Sequence, residues 1–197
     1  MEKKLPERLQ SPEIKQAARG RNLRLLFEDE ARFGLLNDPH RCWAPDGVRP
    51  LVKAALVREY VYAYAAVCPY EGWLDSLVLP AVNTDLMEIF LAEVAQRHPK
   101  DFLAMVIDGA RWHTSSQLTL PDNIGLIPLP PYSPELNPTE HVWDELREKE
   151  FHNKVFANLN VLERKLISGL AAMEKDTTKI KSLTGWPWII SLNLIAN

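Results

Sequence analysis

The chain has 197 residues, is 46% hydrophobic and 25% charged, and carries a net charge of −3. Such a length supports one large domain that buries about 70% of its unfolded surface, and no apolar run approaches the roughly 18 residues of a membrane span. Cys42 and Cys68 have neither zinc-ligand spacing nor a signal-peptide pattern upstream, so both read as idle thiols in a cytoplasmic chain. Charge is unevenly spread: residues 1–24 hold seven Lys and Arg against three Glu, which leaves −7 for the rest. An acidic body repels nucleic acid unless part of its negative charge holds divalent cations.

Residues 1–22 show no sustained apolar period and read as a basic arm or linker, either loosely held or forming a short helix around 12–19. Residues 23–197 read as one domain. Leu23–Phe33 begins as a compact apolar run and passes into alternation, the pattern of a central strand with Asp29 near its exit. Pro39, Pro45, Gly47 and Pro50 mark a long loop carrying Arg41, Trp43 and Arg49. Residues 55–68 and 73–79, joined by Pro69–Gly72, predict a hairpin. Thr84 is placed to cap a helix that Pro99 stops after Arg97.

Phe102–Ile107 is a buried strand that ends abruptly in Asp108, and Ile124–Leu129 is a further strand. Helices follow over about 138–152 and 160–174, and the apolar tail from Thr184 to Ile190 must pack back on the domain. The order β, hairpin, α, β, β, α, α fits a mixed α/β sheet in which the strands of Asp29 and Asp108 lie side by side. Ligands gather at such carboxyl ends.

Leu129–Trp143 is the most specific segment. Pro128, Pro130, Pro131, Pro134 and Pro138 exclude helix and central strand, so the segment is a shaped loop opening into a helix. Asn137 stands at the N-cap, Pro138 at N1 and Glu140 at N3, close to a capping box. Glu140 is thus either a cap or a third acid. Together Asp29, Asp108 and Glu140 would repel and partly protonate unless a hard cation neutralised them, and an oxygen-only set points to Mg2+ or Mn2+. Taken singly, each Asp reads more simply as a turn former.

Four blocks in order over residues 24–155 carry a resemblance: Phe27–Phe33 around Asp29, Arg41–Gly47 around Trp43, Val106–His113 around Asp108, and Leu129–Trp143 around Glu140. They resemble the catalytic domain of the DDE transposases of the mariner-related bacterial insertion sequences. The resemblance implies a ribonuclease-H-like α/β fold, a mixed five-stranded sheet flanked by helices. It places the metal-binding catalytic acids on Asp29, Asp108 and Glu140, with two Mg2+ or Mn2+ ions. It implies phosphodiester hydrolysis at transposon ends, strand transfer to target DNA, a homodimer, and work at the nucleoid. The 32-residue interval from Asp108 to Glu140 is of the family's length.

Two departures stand out. Relatives carry an amino-terminal helix-turn-helix region that residues 1–22 cannot form, so the chain reads as the catalytic half alone: the second product of a split reading frame with a separate helix-turn-helix DNA-binding partner chain, a truncated remnant, or an excised piece. Many relatives also have Asp-Asn where this chain has Asp108-Gly109. Arg41 and Arg49 are candidate DNA contacts, and Trp43 reads as core. His113 is left between a DNA phosphate, the metal site and a structural role. A non-catalytic remnant binding DNA or protein is the alternative function, and a nuclease of RNA–DNA hybrids a weaker third.

Overall fold

The structure, a computed structural model, describes residues 5–35, 43–48, 51, 57–113, 115, 117–130 and 133–192. Five strands, β1 (Asn22–Gly34), β2 (Tyr60–Cys68), β3 (Trp73–Leu79), β4 (Asp101–Ile107) and β5 (Ile124–Pro128), form one sheet in the order β3-β2-β1-β4-β5. The first three pair antiparallel, whereas β4 pairs parallel with both β1 and β5. The parallel step is bridged by a helix from Thr84 to Arg97. Asn83 rather than Thr84 caps that helix, its Oδ1 accepting the Leu86 amide at 2.9 Å. At the β2–β3 turn Gly72 has φ +77°, and a Cβ there would collide with the Thr177 backbone.

Seven α-helices are described: α1 (Leu5–Leu9), α2 (Pro12–Ala18), α3 (Thr84–Arg97), α4 (Glu140–Leu146), α5 (Leu159–Glu174), α6 (Thr177–Thr184) and α7 (Pro187–Ile190), and α4 runs on into a π-helical turn over Arg147–Phe151. None is long and apolar enough to cross a membrane. Strand alternation divides the core in two. Leu25, Phe27, Ala31 and Phe33 of β1 face the layer that holds Val142 and Trp143 of α4 and Leu162, Leu166 and Leu170 of α5. Leu26 faces the opposite layer, with Met87, Phe90, Leu91 and Val94 of α3. Each such side chain contributes about 1.5–3 kcal/mol by leaving water.

Three regions differ from expectation. The amino-terminal segment holds the short helix expected over 12–19 as α2, but it also holds α1 and is docked, not loose: Leu5 and Leu9 are fully buried, and Arg21 pairs with Asp122 at 2.8 Å. Two leucines too few to set a period suffice once a sheet face receives them. Trp43, read as core, is fully exposed. The stretch Thr177–Thr184, unassigned in the sequence, is helix α6, started by Asp176 accepting the Lys179 amide at 2.9 Å. The tail does fold back, with Ile189 buried and Trp188 edge-on to Phe27 at 6.3 Å between ring centroids. Cys68 is buried, and that burial pushes its thiol up to about 11. Cys42 lies outside the described residues.

Candidate active site

β1 is longer than its parallel neighbour, and the site sits where the two part. β4 accompanies β1 from Asn22 to Phe27, after which β1 runs on to Gly34 against β2 alone. Two more steps of the parallel register, past Phe27 opposite Val106, set Asp108 level with Asp29. Asp29 continues the face of Leu25 and Phe27, and Asp108 the face of Ala104 and Val106, so both acids belong to the α4 side of the sheet.

Where β4 leaves, the segment before α4 takes over the edge of β1. Thr139 Oγ1 donates to the Phe27 carbonyl at 2.9 Å and Asn137 Nδ2 to the Glu28 carbonyl at 2.9 Å, both contacts buried. Asn137 Oδ1 also accepts the Thr139 amide at 3.2 Å and so starts a turn, but it is not the expected N-cap: Thr139 holds that position and Glu140 is the first residue of α4 and not its third. No reciprocal capping box forms, because the Asn137 N–H is committed to the Pro134 carbonyl at 2.8 Å. Glu140 opens α4 and turns into a cleft of about 540 Å³ that is also lined by Asp29, Asp108, Gly109, Asn137 and Pro130. The three acids of the sequence reading therefore share one cleft. Glu135 is exposed, as expected of a loop residue.

Electrostatics mark the same place. Burial, followed by the charge of Glu140, pushes the Asp29 carboxyl up to about 7, although Trp143 Nε1 donates to its Oδ2 at 2.8 Å. Asp108 goes the other way. A hydrogen bond from His113 Nδ1 at 2.7 Å holds it below the usual carboxylate range, helped by the Ala110 amide at 2.8 Å.

Glu28 and Glu30 point to the opposite face, as alternation requires. Glu28 is wholly buried, neither of its oxygens has a hydrogen-bond partner among the described residues, and burial with the nearby Glu30 charge raises its carboxyl well above the usual range. His113 lies against both, its Nε2 at 3.0 Å from Glu30 and 3.5 Å from Glu28. Burial works against its charge, yet the bonds to Asp108 and Glu30 outweigh that and push the ring up to about 11. Both nitrogens face carboxylates in the interior, so the ring has none left for a DNA phosphate. Arg41 and Arg49 lie outside the described residues. A Cβ on Gly109 would meet nothing within 4 Å, so the asparagine of relatives would fit there.

Donor chemistry tests whether the front acids suit a metal. Asp29, Asp108 and Glu140 offer only oxygen, and the raised Asp29 is an acid held beside another acid with no cation of its own among the described residues, which a hard divalent ion would relieve. The residues fit.

The profile of the DDE superfamily endonucleases matches residues 24–163. The chain belongs to the DDE superfamily of endonucleases. An uncharacterized Sinorhizobium fredii (strain NBRC 101917 / NGR234) protein, y4pE/y4sA, is 42% identical over 98 residues, covering 49% of this chain and 73% of that protein. The fold is the ribonuclease-H-like one of the Mos1 mariner transposase catalytic domain, superposed with a TM-score of 0.53 at 13% identity over 100% of this chain and 91% of that domain. The Mos1 paired-end complex with left transposon end gives 0.59 at 15% identity, over 93% of this chain and 60% of that one. This chain thus spans about 60% of the length of that transposase.

Proposed function

We propose that this chain is the catalytic domain of a DNA transposase, which hydrolyses phosphodiester bonds at transposon ends and joins the freed 3′-hydroxyl to target DNA. The carrying observation is the convergence of Asp29, Asp108 and Glu140 on one cleft in a DDE endonuclease. These three residues would hold two Mg2+ or Mn2+ ions, which when bound supply charge stabilisation at the attacking and leaving oxygens of the phosphate. The chain's own groups prepare that chemistry. Trp143 fixes one oxygen of Asp29, Asn137 and Thr139 tie the start of α4 to the Asp29 strand, and the proline loop walls the cleft.

Mos1 paired-end complexes solved with Mn and with Mg, and a Mos1 strand transfer complex, support divalent metal and DNA as partners here. A homodimer, a separate helix-turn-helix chain for end recognition, and a bacterial cytoplasmic, nucleoid-associated setting complete the reading. Arg41 and Arg49 remain the proposed DNA contacts.

Glu140→Gln tests it. Gln keeps the length of the side chain, and no capping box depends on the charge, so the melting transition should change by no more than about 1 kcal/mol. A neutral amide is a poor ligand for a hydrated divalent cation, and removing a main source of transition-state charge stabilisation costs about 10²–10³-fold. Nicking of transposon-end DNA in Mg2+, with the recognition chain supplied in trans, should fall by at least that factor. A variant that nicks at the parent rate places the third acid elsewhere.

A further inference from the structure

The polar group behind β1 touches the cleft at one point. Asp108 stands one residue past the end of β4, is 51% exposed, and has no ladder to hold it. Its Oδ1 is nevertheless doubly occupied, by His113 Nδ1 at 2.7 Å and the Ala110 amide at 2.8 Å. The same imidazole reaches past the end of the sheet, and its Nε2 lies 3.0 Å from Glu30 Oε1. Trp112 Nε1 donates to that oxygen at 2.7 Å, so the far anchor is itself fixed. The His113 side chain is 1% exposed and that of Glu30 6%.

We infer that His113, braced by Glu30, is a positioning residue that locks the Asp108 carboxylate with Oδ1 turned away and Oδ2 toward the cleft, so that cation affinity in front of the sheet depends on a carboxylate behind it. This rests on the reading of Asp108 as a metal ligand. The physical ground is preorganisation. A half-exposed carboxylate at a chain turn samples several rotamers, and a ligand that must be ordered by the cation itself weakens binding by the cost of ordering it. An imidazole with both nitrogens engaged cannot swing, because any rotation breaks a bond at one end or the other. Partners that orient metal ligands in this way are worth about 10–100-fold in metal affinity.

The experiment is a Mn2+ titration of the full chain, with free Mn2+ read by electron paramagnetic resonance and the fold monitored by melting in EDTA. His113→Leu should weaken Mn2+ binding by about 10–100-fold, and His113→Asn, which keeps an N–H facing Asp108, should recover part of the loss. The double variant Glu28→Gln/His113→Leu removes a buried acid left without its neighbour and keeps the test usable where the single variant unfolds. A purely structural His113 would shift the melting transition in EDTA and leave Mn2+ affinity alone. Any folded variant lacking the His113 side chain that binds Mn2+ within about twofold of the parent overturns the inference. A parent whose Mn2+ affinity is absent, or unmoved by Asp29→Asn, overturns instead the metal-centre reading on which the inference stands.

Discussion

Glu28, Asp29 and Glu30 are three consecutive acids on one strand, and the two faces of that strand treat them oppositely. Behind the sheet, Glu28 and Glu30 meet His113, a cation supplied by the chain itself and sealed from water. In front, Asp29 meets Glu140, a second acid, beside an open cleft. The rear group is closed and carries an internal counter-charge. The front group is open to solvent and, among the described residues, is left short of positive charge, the state in which an exchangeable cation gains most by binding. Residue type alone does not separate the two groups; the two-residue period of the strand does.

The largest break in this comparison should come from Asp29→Asn. On the proposed function, DNA cleavage falls by about 10²–10³-fold or more, while the metal-free protein melts higher than the parent above neutral pH, because a charge held at unfavourable cost is gone. A cleavage assay in Mg2+ and a melting curve in EDTA check both halves. Equal loss of activity with loss of the fold would remove the distinction between the faces.

Proton linkage sharpens it next. The folded Asp29 carboxyl is raised from 3.8 to about 7, so its contribution is fully present below about pH 4 and is lost as the pH climbs through 7. At about 1.4 kcal/mol per unit this is at most on the order of 4 kcal/mol. His113 is raised from 6.5 to about 11, so its contribution is fully present below about pH 6.5 and is lost progressively as the pH climbs from there through 11. Melting in EDTA should therefore drop between pH 4 and 7 through Asp29 in front, and Glu28 behind the sheet adds to the fall because its carboxyl too is raised. Millimolar Mn2+ should raise the transition more at pH 8 than at pH 5, since the ion needs the ionised carboxylate. An equal Mn2+ effect at both values would contradict the front-face assignment.

Trp143→Phe should have a smaller effect. The indole is buried and its N–H donates to Asp29, so the variant loses a charge-assisted bond and some packing, about 2–3 kcal/mol by denaturant titration. Smallest is Glu28→Gln, which removes a buried charge whose oxygens have no hydrogen-bond partner among the described residues. Because the Glu28 carboxyl is raised, its contribution too is lost with rising pH, and the variant should gain about 1 kcal/mol or less at pH 8 and nothing at pH 4.

Much of this was readable from residues because the informative elements are strongly periodic or strongly punctuated. β1, the β2–β3 hairpin, α3 and β4 each bury a run or a stripe, and the acids at their ends follow from the ends. α1 and α6 were not readable in the same way. Leu5 and Leu9 acquire meaning only from the face they cover, and α6 offers Ile180 as its one buried hydrophobic residue. Trp43 shows the reverse error, since an aromatic side chain carries no statement about which way its loop turns it. His113 lay five residues beyond Asp108 on an irregular turn, where spacing does not fix direction. The turn at Asn137 was visible, but the cap fell on Thr139 instead, and nothing local announced the contact of Asn137 with a strand 109 residues away.

That contact bears on how such a chain can vary. The separation of Asp29 and Glu140 is set by Asn137 and Thr139 gripping the carbonyls of Glu28 and Phe27, and not by the path the chain takes between Asp108 and the helix. Insertions or deletions in residues 114–122 should then leave the cleft geometry unchanged. The count of residues between second and third acid becomes a mark of ancestry rather than a requirement of the chemistry, whereas the four atoms of the grip admit no such drift.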